Sequence, residues 1–206
     1  MRARIACSIL LMIGLTRTSA QIVTPTEFFV RGGAAFPVSS QSFTDYWKNG
    51  FALGAGVGTP LGESSTLLVS LDYARFSFDQ TRLLQYFSMP PAGNSISGAS
   101  STLIVLSAHA RVLQPIIENL SLYVTGGAGM VYSGVAAATV TYSGYSATAQ
   151  PTNRLSFALA PGIGFTYPLQ DRWSVFAEAR YYWAILRKTD AHAGFSETSI
   201  GLRSAL

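Results

Sequence analysis

Three times in this chain a proline opens a short polar turn and an alternating strand follows. The turns are Pro60-Leu61-Gly62-Glu63, Pro115-Ile116-Ile117-Glu118 and Pro168-Leu169-Gln170-Asp171. They lie 55 and 53 residues apart, so the chain repeats a two-strand unit. After each turn apolar residues return at every second position: Leu67, Val69, Leu71 and Tyr73, then Leu122 and Val124, then Val175, Ala177, Ala179 and Tyr181. A period of two belongs to strands whose two faces meet different surroundings. Repeated hairpins with one apolar and one small polar face are how a membrane-spanning β-barrel is written.

Eight strands are predicted: Glu27–Phe36, Gly50–Thr59, Thr66–Phe78, Thr102–Leu113, Leu120–Tyr132, Arg154–Tyr167, Trp173–Leu186 and Glu197–Leu206. Most reach or exceed the roughly 9–11 residues that cross a bilayer when tilted. The connections alternate in length. The proline turns follow the second, fourth and sixth strands, and longer segments follow the others: Pro37–Asn49, Asp79–Ser101, Ser133–Asn153 and Arg187–Ser196. Short turns on one side and long loops on the other are the outer-membrane arrangement, with the turns in the periplasm and both chain ends beside them.

The first twenty residues stand apart. Arg2 and Arg4 precede the apolar run Ile9–Leu15, and Thr18-Ser19-Ala20 supplies the small residues of a cleavage site. This predicts a signal peptide over residues 1–20 and a barrel domain over 21–206. The full chain carries a formal charge of +4, but Arg2, Arg4 and Arg17 leave with the leader, so eleven bases then face ten acids. Near-neutrality argues against a nucleic-acid partner. The one cysteine, Cys7, also lies in the leader, which removes disulfide and thiol chemistry from the mature chain. Charged residues make up 12% of the sequence, half the roughly 25% of soluble domains. No apolar run after residue 20 approaches the roughly 20 residues of a membrane helix. A closed barrel satisfies every backbone group without a helix and without an open edge.

The faces separate by parity. In the second strand Phe51, Leu53, Ala55 and Val57 alternate with Ala52, Gly54, Gly56 and Gly58. In the sixth, Leu155, Phe157, Leu159, Ile163 and Phe165 alternate with Ser156, Ala158, Ala160, Gly162 and Gly164. Small side chains suit the narrow lumen of eight strands. Pro161 has no donor for the ladder, which predicts a bulge around Pro161-Gly162. Aromatic residues gather toward strand ends, among them Phe28, Phe36, Phe78, Tyr132, Tyr167, Trp173 and Trp183, as interfacial girdles do.

The same parity points Arg31, Asp72, His109, Arg111, Glu178, Arg180, Glu197 and Arg203 into the lumen, four arginines against three acids and one histidine. A base facing lipid near the midplane costs about 2–4 kcal/mol, so the interior is where such charges belong. One role for them is an ion-pair network that fills the barrel; another is a narrow polar pathway or gate. Ser107 and His109 share a face, and a hydrolase needs in addition an acid orienting the histidine and an oxyanion site. Glu178 and Asp72 are candidates for that acid. A second cluster, His192, Ser196 and Glu197, sits at the last loop. Neither histidine has a companion at metal-ligand spacing, so no metal and no cofactor are expected. In the loops, Tyr46, Trp47, Tyr86, Phe87, Tyr142 and Tyr145 are candidate contacts for a partner. Arg75, Arg82, Arg187 and Lys188 near the outer rim suit lipopolysaccharide phosphates.

The Gly-rich first hairpin (Val30–Ala34 and Leu53–Gly58), the proline-led turns and Ala160-Pro161-Gly162-Ile163-Gly164 resemble the small outer-membrane β-barrel family, eight-stranded and OmpA/OmpX-like. The resemblance covers Gln21–Leu206 in architecture and composition. It implies an all-β, up-and-down transmembrane barrel in a Gram-negative-type outer membrane, placed there by the barrel-insertion machinery among outer-membrane lipid and lipopolysaccharide. Three functions follow as expectations. The first is a non-enzymatic integral protein with a structural or surface-interaction role in its loops, binding an unidentified surface ligand. The second is a lipid or lipid A hydrolase using Ser107 and His109. The third is a soluble secreted ligand-binding barrel with an apolar interior.

Overall fold

The computed structural model describes residues 26–38, 41–86, 88, 90, 93–98, 100–142, 144–185 and 193–206. In chain order the elements are β1 (Glu27–Pro37), α1 (Gln41–Tyr46), β2 (Gly50–Pro60), β3 (Ser65–Ser77), α2 (Gln80–Tyr86) and β4 (Ser95–Ser97). There follow β5 (Ser100–Ile117), β6 (Leu120–Val135), β7 (Ala138–Tyr142), β8 (Tyr145–Ala149), β9 (Thr152–Leu159), β10 (Gly162–Gln170), β11 (Trp173–Ile185) and β12 (Ala193–Ala205).

Each barrel strand pairs antiparallel with its sequence neighbour, and β12 returns to pair with β1 from Glu27↔Ala205 to Pro37↔Phe195. β9 and β10 are two halves of one strand, both lying between β6 and β11. The wall is therefore an eight-stranded antiparallel up-and-down barrel. No helix among the described residues is long and apolar enough to cross a membrane.

The two faces fall where parity puts them. Val30, Phe51, Leu53, Leu71, Leu106, Phe157, Ile163 and Ile200 are all exposed on the outside, and the residues between them are buried or half-buried. Tyr132 and Trp183 lie on the outer surface toward the long-loop end, and Tyr167 and Trp173 toward the short-turn end.

Two expectations about prolines are corrected. Pro161 makes no bulge. Leu159 pairs with Ala128 and Gly162 with Thr125, so two residues oppose two and the register runs straight through. The proline simply lacks a donor, while its carbonyl still accepts from Tyr181 N at 2.9 Å. Continuing that register sets Gly126 opposite Pro161. The bulges lie instead at the short-turn end, between Pro115 and Ile117 and between Pro168 and Gln170. Those prolines do not open the turns. The strands continue past them, and the turns themselves are Glu118-Asn119 and Asp171-Arg172. Pro60 is the last residue of β2, paired with Thr66.

The long loops hold structure that alternation did not reveal. β5 and β6 run on to pair Ser101 with Val135. Above them β4, β7 and β8 form a separate three-stranded sheet, and α1 and α2 sit in the first two loops. The last strand begins at Ala193, four residues before the expected Glu197. Residues 1–25 and 186–192, including the segment read as a signal peptide and Leu186, lie outside the described residues.

Candidate functional site

Parity on the strands brings the predicted lumen charges together. All eight side chains, Arg31, Asp72, His109, Arg111, Glu178, Arg180, Glu197 and Arg203, are buried in the barrel. They form two separate groups rather than one.

The central group is built on Arg31. Its Nη2 donates to Asp72 Oδ1 at 2.6 Å and its Nη1 to Glu178 Oε1 at 2.9 Å, while Glu197 Oε1 lies 3.5 Å from Nε. Three acids on three different strands thus converge on one guanidinium, whose planar fork can serve several acceptors at once. Arg180 Nη2 takes the same Glu178 oxygen at 2.5 Å and its Nη1 lies 3.7 Å from Asp72 Oδ2. Tyr182 OH donates to Asp72 Oδ2 at 3.0 Å and receives from Arg31, and Tyr123 OH donates to Glu178 Oε2 at 3.0 Å. Such a group is stable in a low dielectric because every carboxylate oxygen of Asp72 and Glu178 has a donor, while Glu197 Oε1 has an ion-pair partner but no hydrogen bond. The close approach of Gly54 is part of the design. A Cβ there would collide with Asp72 Oδ1 and the Arg31 side chain, so this wall position must stay bare.

The second group lies nearer the short turns. Arg111 Nη2 meets Glu27 Oε2 at 2.7 Å, and Arg203 Nη1 is 3.7 Å from the same oxygen. Thr66 and Thr166 accept from the two arginines. Glu27 is the residue that sequence reasoning missed. It shares the parity of Phe29 and Arg31, but its place at the strand start hid it. With Glu27 included the interior holds four arginines and four carboxylates, so the formal charge of the two groups together balances.

Apolar layers separate these groups. Phe29, Leu68, Tyr123 and Phe176 pack between them. Toward the long loops, Phe76, Leu103, Val105, Val131 and Phe195 pack around Tyr182, with Trp47 against them. Tyr182 and Phe195 stack at 4.5 Å between ring centres, so Tyr182 faces charge with its hydroxyl and hydrocarbon with its ring.

Ser107 and His109 are neighbours, with Oγ to Nε2 at 2.6 Å. Arg180 Nη1 also points at Nε2, at 3.2 Å, and a guanidinium can only donate. Nε2 is therefore an acceptor, and the ring proton sits on Nδ1. No side chain bonds that Nδ1 among the described residues. The acid that would orient a catalytic histidine is not among them: Asp72 is held by Ser70, Tyr182 and Arg31, and Glu178 by Tyr123 and both arginines. In the other cluster, Glu197 belongs to the central group, Ser196 is half-buried, and His192 lies outside the described residues.

The loop aromatics divide. Trp47 is half-buried: it packs on the interior apolar layer and edge-on to Phe78, with ring centres 5.3 Å apart. Tyr46 is half-buried. Tyr142 and Tyr145 pair across the tip of the β7–β8 hairpin and are exposed, Tyr145 at 82%. The Tyr86 side chain and Phe87 lie outside the described residues, as do Arg187 and Lys188. Arg75 is exposed near the long-loop end of β3, and Arg82 lies 3.8 Å from Asp79.

A family model described as outer membrane protein beta-barrel domain matches residues 7–203. Among solved structures, Neisserial surface protein A (NspA) is similar at 20% identity and a TM-score of 0.54, over 87% of this chain and 97% of its own. A major outer membrane protein from Thermus thermophilus is similar at 12% identity and a TM-score of 0.57, over 89% of this chain and 100% of its own. At these identities the likeness carries the fold alone. Comparison with curated proteins finds no match.

Proposed function

The chain belongs to the outer membrane protein β-barrel family, and on that footing we propose a non-enzymatic integral outer-membrane protein whose work is done by its surface loops. Export follows from the signal peptide read over residues 1–20. The barrel-insertion machinery then delivers the barrel to the membrane, where Arg75 and Arg82 meet lipopolysaccharide phosphates. The interior serves stability: two ion-pair groups, each capped by an apolar layer, plug the lumen.

The observation that carries the surface role is the β7–β8 hairpin. All five residues of β8 are exposed, and its outer edge pairs with no strand among the described residues. Natural proteins blunt open edges with charge, proline or a bulge. Tyr145-Ser146-Ala147-Thr148-Ala149 has none of these. With Tyr142 and Tyr145 at its tip, the hairpin offers an extended polypeptide both main-chain pairing and aromatic anchors. Replacing residues 138–149 by a short glycine turn is expected to leave the barrel folded and to abolish adherence of expressing cells to immobilised surface and matrix proteins. Equal adherence of intact and shortened protein would remove the hairpin from the account.

The histidine geometry supports the non-enzymatic reading. His109→Ala is expected to leave the lipid A and phospholipid profile of expressing cells unchanged, read by mass spectrometry. A product that disappears with the substitution would restore the hydrolase.

A further inference from the structure

At the long-loop mouth, above the stacked Tyr182 and Phe195, the barrel wall encloses a partly open cavity of about 220 Å³. Its floor and walls are hydrocarbon: Leu103, Val131, Ala184 and Phe195, with Trp47 at one side. Its polar residues belong to the strand ends: Ser101 on β5, Ser133 on β6, and Thr152, Arg154 and Ser156 on β9. The volume is that of about seven liquid waters. A void this apolar gives water few of the two to four partners it needs, and it favours an apolar guest.

The charge is one-sided. Among the described residues no carboxylate lines the cavity. Arg154 has the inward parity of Ser156 and Ala158 and forms no ion pair among the described residues, whereas the interior acids are engaged with arginines in the groups below. We propose that this vestibule binds a small amphipathic anion, a medium-chain carboxylate whose alkyl chain lies against Leu103, Val131 and Phe195 and whose head group meets Arg154. Charge complementarity selects an anion, because a cation would meet Arg154 with no acid among the described lining residues to offset it. A neutral chain would leave the guanidinium without its partner. The rim hydroxyls supply further donors to the same head group. The site does not depend on the hairpin's role at the surface.

The test uses the full chain in nanodiscs of zwitterionic phospholipid, in a W173F/W183F background that leaves Trp47 as the sole indole. The probe is 8-bromooctanoate, whose bromine quenches a nearby indole. Saturable quenching is expected. Arg154→Ala should weaken it about ten- to a hundredfold, as loss of a charge-assisted hydrogen bond does. Ala184→Phe, which fills the cavity, should abolish it, and Ser156→Leu serves the same purpose if A184F fails to fold. 8-Bromooctylamine should bind at least about tenfold more weakly. Quenching that rises linearly with probe and is indifferent to R154A and to the filling variant would mean partition into the bilayer only, and would overturn the site.

Discussion

Replacing Arg31 by methionine should destabilise the folded barrel by about 3–5 kcal/mol, the cost of removing one partner from a buried ion pair. The cause is specific to this position. Asp72, Glu178 and Glu197 all lie within 3.5 Å of its guanidinium, and the substitution strips that cation from all three at once. Arg180 still reaches Asp72 and Glu178, but Glu197 keeps no cation within 4 Å among the described residues. Removal of Arg111 should cost less, because Arg203 still lies near Glu27. Urea unfolding of the two variants in lipid vesicles measures the difference. Adding Glu197→Gln to Arg31→Met should recover part of the loss, since a buried amide costs far less than an unpaired carboxylate. Equal stability of R31M and the parent would mean that the central group does not hold the barrel.

The second large effect is on the other face. Leu71 is more than half exposed, at the level of the central ion pairs and flanked by Ala55 and Leu106 on the neighbouring strands. If that surface is lipid, Leu71→Arg should cost about 2–4 kcal/mol. If it is water, the same substitution should stay within about 0.5 kcal/mol, as surface changes do. Glu63→Arg in the first short turn is the internal comparison and should be near neutral in either case. The pair therefore separates a membrane barrel from a soluble one by energy alone.

The wall of the barrel was legible because a period of two is a strong constraint: one slip in register turns every side chain over. Phe51 through Gly58 and Leu155 through Gly164 revealed inside and outside without any knowledge of neighbours. The same rule placed Arg31, Asp72 and Arg180 in the lumen, and it would have placed Glu27 there had the strand start not been treated as a boundary. What parity cannot supply is partnership. That Arg31 gathers three acids, that Tyr123 and Tyr182 join them through their hydroxyls, and that the charges split into two groups depend on barrel shear. So does the neighbour of Pro161. A missing donor suggested a bulge, but the register is unbroken and the Pro161 carbonyl keeps its ladder bond to Tyr181 N. The loops were least legible. α1, α2 and the β4-β7-β8 sheet are short, and such elements take their structure from packing at the rim rather than from their own periodicity. Trp47 shows the consequence: an aromatic in a polar segment proved to be a piece of the interior.

The most direct test of the central claim, that this chain is an integral outer-membrane barrel, is its mobility on a detergent gel before and after boiling, on protein recovered from fractionated cells. A closed ladder of hydrogen bonds resists detergent until heated. The unheated protein should therefore sit in the outer-membrane fraction and migrate differently from the boiled form. Identical mobility, together with recovery in the soluble periplasmic fraction, would contradict the account.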